Sequence, residues 1–588
     1  MNKQESDILN AMYIEKYTNQ RALAELTGHS LGVVNRCIKS LTENGYIDDK
    51  MMLTLKAYEE FRANTPKNAI ILAAGYGMRM VPINTEVPKG LLEVDGEPLI
   101  ERTIKYLKEV GVHQIYIVVG YMKEHYEYLI DEYGVELVVC EEYAQKNNLH
   151  SIKLVTDKIS NSYIIPCDIW CGVNPFSKSE LYSWYMVTDM LDKGSNVRVN
   201  RKMELAMTGT GEGGNAMIGI AYIKEEQAED LRNKINEMCQ NPFYDNVFWE
   251  EALVEKDRMT VLAKVVSGES IVEINTYEQL RELDSGSNHL KTEAMNIISD
   301  TLQVKEEQIV DINLLKKGMT NRSFIFRCKD KKYIMRIPGE GTSKLINRRE
   351  EAAVYNVIKD KNICDDIIYI NPENGYKITE FLPDARNCDP LDAEDVKKCM
   401  KRLREFHEQK LKVNHRFDIF GQIDFYESLW EGKPSVYRDY KTTKEHVLEL
   451  KAYIEKYKCE EVLTHIDAVP DNFVFVKDAA GNEEIRLIDW EYAGMQDPHV
   501  DIAMFCIYSM YNKEQVDALI DAYFPEGCSH EIRIKIYCYI AACGLLWSNW
   551  CEYKRELGIE FGEYSLRQYR FAKDYYRIVK DMGGLIRW

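Results

Sequence analysis

The chain has 588 residues, too many for one hydrophobic core, and roughly 100–200 residues per domain gives three or four domains. Its 45% hydrophobic and 29% charged residues are those of a folded globular protein, and the net charge of −20 excludes a general nucleic-acid or anionic-membrane binder, because phosphate repels such a surface. A local phosphate pocket stays open, since near charges outrank net charge at short range. The fifteen cysteines form no zinc-type set and read as free thiols in a reducing cytoplasm. The start MNKQESD lacks a basic region followed by an apolar run, and the apolar stretch at 539–547 is too short for a bilayer, so the expectation is a cytoplasmic protein without membrane insertion.

Residues 1–65 read as three helices, SDILNAMYIEKY, QRALAELTG and SLGVVNRCIKSLTENG. Gly28 and Gly45 mark helix ends, and Ser30 is an N-cap. Leu31, Val34, Ile38 and Leu41 recur at helical spacing and predict a buried face. YIDDKMMLTL then reads as a short hairpin. This order resembles a winged helix-turn-helix domain, small and α+β.

Residues 66–286 open with NAIILAAG, an apolar run ending in glycine, as in a buried parallel strand. The helix PLIERTIKYLKEVG and the strand QIYIVVG complete a βαβ unit, and ELVVC and SYIIPCD are further strands. The expected class is an α/β, Rossmann-like domain. Residues 287–588 begin with a helix and a strand-rich part, SFIFRCKDKKYIMRIPG, and become strongly helical, the α+β order of a protein-kinase-like fold.

IILAAGYGMRM delivers a glycine-bearing loop from a strand, so Leu72, Ala73, Ala74, Gly75 and Gly77 can wrap phosphate oxygens with backbone N–H groups, and Arg79 adds a charge-assisted contact. PKGLLEVDGEPLIER follows. Together the two blocks resemble the nucleoside-triphosphate transferase family. That resemblance implies that Lys89 contacts phosphate, that Asp168 is a magnesium ligand at a strand end, and that Asn275 fills the second ligand position, where many relatives carry aspartate. An amide oxygen can ligate magnesium but brings no charge. IERTIKYLKEVGVHQIYIVVGYMKEHYEYL, NNLHS and NVFWEEAL most resemble phosphocholine cytidylyltransferases, which implies CTP as co-substrate. A trimethylammonium group offers no hydrogen-bond donor, so its site needs aromatic faces and carboxylates. Trp249, Glu250, Tyr222 and Trp184 are the candidates.

LTHIDAVPDNFVF followed by IRLIDWEYAG resembles the choline kinase and aminoglycoside phosphotransferase superfamily. The resemblance places the catalytic base at Asp467 and magnesium ligands at Asn472 and Asp489, with ATP as co-substrate and His465 orienting the loop. KKGMTNRSFIF resembles the nucleotide-covering loop. Arg336 takes the place of the strand lysine of protein kinases, with Glu350 as its ion-pair partner on the next helix and Glu351 as the adjacent alternative. Trp490, Tyr492, Trp547 and Trp550 are the candidate aromatic box, with Asp501 or Asp497 as counter-charge; Trp547 and Trp550, three apart, share a helix face.

The two motif sets together predict a bifunctional enzyme that phosphorylates choline with ATP and converts phosphocholine with CTP into CDP-choline and pyrophosphate. Ethanolamine, another amino alcohol, a sugar phosphate or an aminoalkylphosphonate are the alternative substrates. A DNA-binding regulator is the alternative class, and a homodimer is a candidate assembly. Residues 1–65 carry eight Lys/Arg against nine Asp/Glu and lack a basic footprint, which argues against nucleic acid, although Arg36 and Lys39 lie on the third helix.

Overall fold

The computed structural model describes residues 1–14, 17, 19–209, 211–315, 321–339, 345–477, 481–556 and 561–583. The chain forms two compact units, Met1–Asn296 and Ile297–Trp588. No described helix is long and apolar enough to cross a membrane.

The first unit opens with the helices Lys3–Ile14, Gln20–Thr27 and Leu31–Glu43. Ser30 caps the third by accepting from Val33 N, and Gly28 ends the second at φ 67°. Val34, Ile38 and Leu41 are buried with Cys37, but Leu31 is 39% exposed. Helical side chains lean toward the N-terminus, so Leu31, first in its helix, projects past the end. The expected hairpin reduces to one antiparallel bridge, Ile47 to Leu53, and an unexpected fourth helix, Leu55–Ala63, follows and buries Ala57 and Phe61. Hydrogen bonds fasten this segment to the rest of its unit, three of them short. Ser179 Oγ donates to Phe61 O at 3.1 Å, Glu180 N to Asn64 O at 3.0 Å, and Tyr182 Oη to Asp7 Oδ1 at 3.0 Å.

A ten-stranded sheet carries the remainder of that unit. Its parallel part runs in the order Glu136–Val139, Gln114–Val119, Asn68–Ala73, Ser162–Pro166. Asn68–Ala73 is buried at every residue, as a central strand covered on both faces must be. The crossover helix Leu99–Glu109 buries Leu99, Ile100, Ile104 and Leu107. Gly214–Ile223, Trp184–Asp192 and Arg258–Val266 extend the sheet, the first two antiparallel to their inner neighbours, beyond what the sequence predicts. Ile169–Cys171 and Ile271–Glu273 form a separate antiparallel pair, and Ile274 N donates to Asp168 O at 3.0 Å.

In the second unit, five antiparallel strands run in the order Val310–Leu314, Asn321–Cys328, Lys331–Pro338, Lys377–Glu380, Ile367–Ile370, beside the helix Arg348–Ile358. The expected nucleotide-covering text spans 316–326, of which 316–320 lie outside the described residues and the rest falls in the strand Asn321–Cys328. A helical part is centred on His530–Glu556, which is buried nearly all round and therefore lacks a polar face. The ladder of Phe473–Lys477 with Glu483–Leu487 lies between Asp467 and Asp489 in the chain.

The docking contacts make a stability prediction. A chain beginning at residue 66 should show a lower melting temperature for the first unit and an unchanged transition for the second. The lost hydrogen bonds contribute about 1 kcal/mol each, and Leu181, packed against the removed core, becomes exposed. Differential scanning calorimetry of the two chains checks this.

Candidate active sites

The first site lies beyond the carboxyl ends of the parallel strands, where open α/β sheets bind ligands. Leu72 and Ala73 finish the central strand and Ala74 is buried, while Gly75 and Arg79 are exposed and Gly77 takes φ 58°, a conformation glycine adopts without strain. Lys89 Nζ bridges Asp168 Oδ2 and Asn275 Oδ1, the latter at 2.8 Å, and Arg79 Nη2 donates to the same Asn275 oxygen at 2.8 Å. Four residues separated by up to 196 positions thus converge on one point. Asp168 Oδ1 is buried without a partner among the described residues. An unpaired carboxylate oxygen beside an amide oxygen fits a hard cation that takes oxygen ligands.

Behind this cluster stand two more carboxylates. Burial pushes Glu250 up to about 7, with Glu273 and Asp168 adding like charge, while Tyr185 Oη donates to it at 3.3 Å. Glu273 is also raised, by burial and then Asp168. Glu273 precedes Asn275 by two residues at the end of a strand, so the pair share a face. That spacing was a readable signal, but Glu273 was not among the sequence candidates.

Three aromatic expectations need correction. Trp184 and Tyr222 are cross-strand partners, and Tyr222 pairs with Tyr163 near the amino end of Ser162–Pro166, the end away from Asp168. Trp184 is 1% exposed, and its Nε1 donates to Glu180 at 2.9 Å, in the corner where the N-terminal segment docks. Trp249 is buried in the core, leaving Tyr185 as the ring bonded to Glu250.

The second site is a cavity of about 710 Å³ in the second unit. Asn472 Nδ2 donates to Asp467 O and Oδ2 at 2.9 and 3.0 Å, fixing the candidate base against the candidate ligand. Asp489 has φ 68° and Ile466 φ 67°, and for a β-branched residue that conformation is strained. Asp501 holds the second of these: its oxygens accept from Ile466 N at 2.7 Å, His465 N at 2.9 Å and His407 Nε2 at 2.9 Å. Asp501 is therefore a clamp on the loop and not a substrate counter-charge. Asp497, the alternative, is paired with the buried Lys535 at 2.6 Å, whose ammonium fills the space among Cys459, Asp497 and His499. His465 lies in the same loop, with Nε2 against Ile488 O at 3.0 Å; burial pushes it down to about 4, so it orients the loop as a neutral ring.

Burial pushes Asp467 up to about 8, with Asp489 and Glu491 adding like charge, and Glu491 reaches about 7 by burial and then Asp489. Three crowded carboxylates around Asn472 fit a divalent cation, which would relieve that repulsion. Arg336 forks onto Glu351, with Nη1–Oε1 at 2.5 Å and Nη2–Oε2 at 3.0 Å. The partner is thus Glu351 and not Glu350, because only Glu351 is on the buried face of its helix. Burial raises the Glu351 carboxyl, and Arg336 outweighs this, bringing it down to about 2.

Tyr492, Trp547 and Trp550 line the cavity as expected, joined by Tyr508, Phe561 and Tyr564, which the sequence did not single out. Tyr492 to Trp547 and Trp547 to Trp550 are 5.6 and 5.4 Å between centroids at 87° and 74°, a corner of edge-to-face rings. Trp490 is not part of it: fully buried, it donates from Nε1 to Leu487 O at 2.8 Å and packs on Phe406 and His465.

A choline/ethanolamine kinase family matches residues 312–570, a MobA-like NTP transferase domain matches 69–174, and a winged helix-turn-helix DNA-binding family matches 1–48. Choline-phosphate cytidylyltransferase of Streptococcus pneumoniae is 31% identical over 230 residues, 37% of this chain and 96% of that enzyme. The chain belongs to this cytidylyltransferase family. The 2-aminoethylphosphonate cytidylyltransferase of Lancefieldella rimae is 30% identical over 242 residues, 38% of this chain and 94% of its own length. The crystal structure of choline kinase LicA from Streptococcus pneumoniae has 28% identity, a TM-score of 0.43, and covers 49% of this chain and 100% of its own. The chain is thus an enzyme joining a nucleotidyltransferase to a phosphotransferase, two families that take nucleoside triphosphates.

Two predictions follow from the buried charges. Glu351→Gln leaves Arg336 buried without its counter-charge and should cost about 3–5 kcal/mol, whereas Glu350→Gln should be nearly neutral. Urea unfolding of the second unit's transition measures both. Glu250 holds its proton in the folded state up to about 7, while the unfolded chain releases it near the ordinary carboxylate value. Stability from this group is therefore present at acid pH and lost as pH rises toward 7. Glu250→Gln should melt above the parent at pH 8 and level with it at pH 4, read by thermal scans at both values.

Proposed function

We propose that the second unit phosphorylates choline with ATP and that the first transfers CMP from CTP to the resulting phosphocholine, giving CDP-choline and pyrophosphate. The observation that carries the reading is the pairing, in one chain, of an aromatic, carboxylate-rimmed cavity at a kinase-type base with a glycine-loop site backed by Glu250 and Glu273. Quaternary ammonium offers no hydrogen-bond donor, and both sites meet it with rings or carboxylates. The kinase-family match at 312–570 and the cytidylyltransferase relative support each half.

On this reading Asp467 receives the proton of the choline hydroxyl, whose oxygen attacks the γ-phosphorus of ATP and displaces ADP. Asn472 and Asp489 are the residues that would hold magnesium, whose charge would offset that of the phosphates. In the first unit the phosphate of phosphocholine attacks the α-phosphorus of CTP. Arg79, Lys89 and the backbone of 72–77 neutralise and align the triphosphate, with Asp168 and Asn275 the residues that would hold magnesium. We assign residues 1–65 to a docked accessory domain, 66–286 to cytidylyl transfer and 287–588 to the kinase.

A second reading is favoured by the aminoethylphosphonate relative. Carboxylates such as Glu250 and Glu273 could equally accept from a primary ammonium. A phosphonate already carries its phosphorus, however, so that substrate gives the kinase unit no step to supply.

The test is a panel of choline, ethanolamine, phosphocholine and 2-aminoethylphosphonate with ATP and CTP, with products read by mass spectrometry. Asp467→Asn should abolish choline phosphorylation and leave cytidylyl transfer to supplied phosphocholine; Lys89→Ala should do the converse. CTP-dependent turnover of the phosphonate in preference to phosphocholine overturns the reading.

A further inference from the structure

Six rings pave one side of the cavity in the second unit, and the last of them holds a carboxylate that has no role so far. Beyond Tyr492, Trp547 and Trp550, the series runs from Trp550 to Phe561 at 5.1 Å between centroids, from Phe561 to Tyr564 at 6.5 Å and from Tyr564 to Tyr508 at 6.1 Å. Tyr508 ends the helix His499–Tyr508, and its Oη donates to Asp471 Oδ2 at 2.6 Å. Asp471 lines the cavity with the rings. A continuous aromatic wall with a carboxylate at its end is a surface for a cation.

The cavity's other carboxylates are committed. Asp467 is the candidate base and Asp489 a candidate metal ligand, Arg348 donates to Glu491 at 3.2 Å, and Asp365 precedes the strand Ile367–Ile370, in the sheet half of the cavity. Asp471 differs from these. Among the described residues no lysine, arginine or histidine nitrogen lies within 4.0 Å of its carboxylate, which meets the neutral hydroxyl of Tyr508. Its backbone is held, because Asn387 Nδ2 donates to Asp471 O at 2.9 Å and the residue belongs to the turn Pro470–Asn472. The same short loop thus presents a base, Asp467, at one end and an unneutralised negative charge, Asp471, at the other. An amino alcohol carries the matching pair of groups, a hydroxyl and a cation joined by a short ethylene link.

We propose that Asp471, oriented by Tyr508, is the specificity-determining counter-charge for the ammonium of the acceptor in the second unit. The inference deepens the kinase reading above and rests on it. The hydrogen bond from Tyr508 fixes one carboxylate oxygen and leaves the other for the cation. A trimethylammonium group has no donor to offer, so the carboxylate attracts it through charge while the rings cover its methyl groups. The charge separates the acceptor from an uncharged alcohol of the same size, which the rings by themselves would admit. In the text HIDAVPDNF, Asp471 stands between the motif positions and carries no role there. Only the packing of the helix His499–Tyr508 beside this turn brings Tyr508 to it.

The test uses the full chain with ATP and magnesium and reads initial rates of ADP release with choline as acceptor. Dimethylbutanol, in which a tert-butyl group replaces the trimethylammonium group, serves as a neutral competitor of the same shape. Asp471→Asn keeps an acceptor for Tyr508 and removes the charge. It should raise the KM for choline about tenfold, and leave the inhibition constant of the neutral alcohol, the KM for ATP and the rate at saturating choline as in the parent chain. Asp471→Glu, Asp471→Asn and Asp471→Lys should rank the choline KM in rising order. An unchanged choline KM in Asp471→Asn overturns the proposal. Equal weakening of choline and the neutral alcohol also overturns it, because that marks a role in shape, and so does an equal rise in the KM for ATP, which marks a role at the nucleotide. If the parent chain turns over ethanolamine in place of choline, n-propanol is the neutral counterpart and the same outcomes decide. A parent chain that phosphorylates neither removes the kinase reading and this proposal with it.

Discussion

Each unit gathers three carboxylates where a phosphorylated substrate has to be handled, and the fold is arranged around holding them there. Asp168, Glu250 and Glu273 share one cluster; Asp467, Asp489 and Glu491 share the other. Such groups repel one another and lose hydration, so the folded chain tolerates them only with cations and donors close by. Lys89 and Arg79 serve the first cluster, and Arg336, Arg348 and Lys377 serve the second. A strongly acidic protein thereby keeps local positive charge where phosphate is expected to bind.

Rigid backbone does the positioning. In the second unit the candidate base Asp467 and the candidate ligand Asn472 are on a loop with Ile466 in a left-handed conformation, Asp489 follows the strand ladder, and Asp501 bonds the amides of His465 and Ile466. Asp501 is tied in turn to His407, on the helix Ala393–Glu408. The loop's shape is thus set by a buried carboxylate that never faces the cavity. In the first unit the same work is done by the short strand pair that brings Asn275 to Asp168. Metal-type sites commonly divide in this way, with one set of residues facing the ligand and a second holding the first in place.

The N-terminal segment changes meaning once its contacts are known. A winged-helix order suggests DNA, yet Asp7, Phe61 and Asn64 are engaged with Tyr182, Ser179 and Glu180, and Leu181 packs into the segment's own core. Trp184 and Tyr222 belong to the same corner of the sheet, which explains why these aromatic residues are far from the reacting groups. Aromatic side chains bury large areas, and here they build the support beneath a docked domain.

What the sequence by itself determined was local and periodic. The apolar run before the glycine loop, the βαβ unit, the spacing from Asp467 to Asn472 and the later Asp489 all follow from short-range text, because a strand, a turn and a loop ligand set are specified by neighbours in the chain. The tertiary structure decided everything that depends on which face a residue takes. Glu351 and not Glu350 meets Arg336, Trp490 turns into the core while Tyr492 lines the cavity, and Asp501 clamps backbone. One position along a helix rotates a side chain by about 100°, and one along a strand reverses it, so adjacent candidates of the same type differ only after packing has fixed the face. Tyr508 is the extreme case: its neighbours in sequence carry no motif, and its hydroxyl meets Asp471 only because the fold brings together residues 37 positions apart.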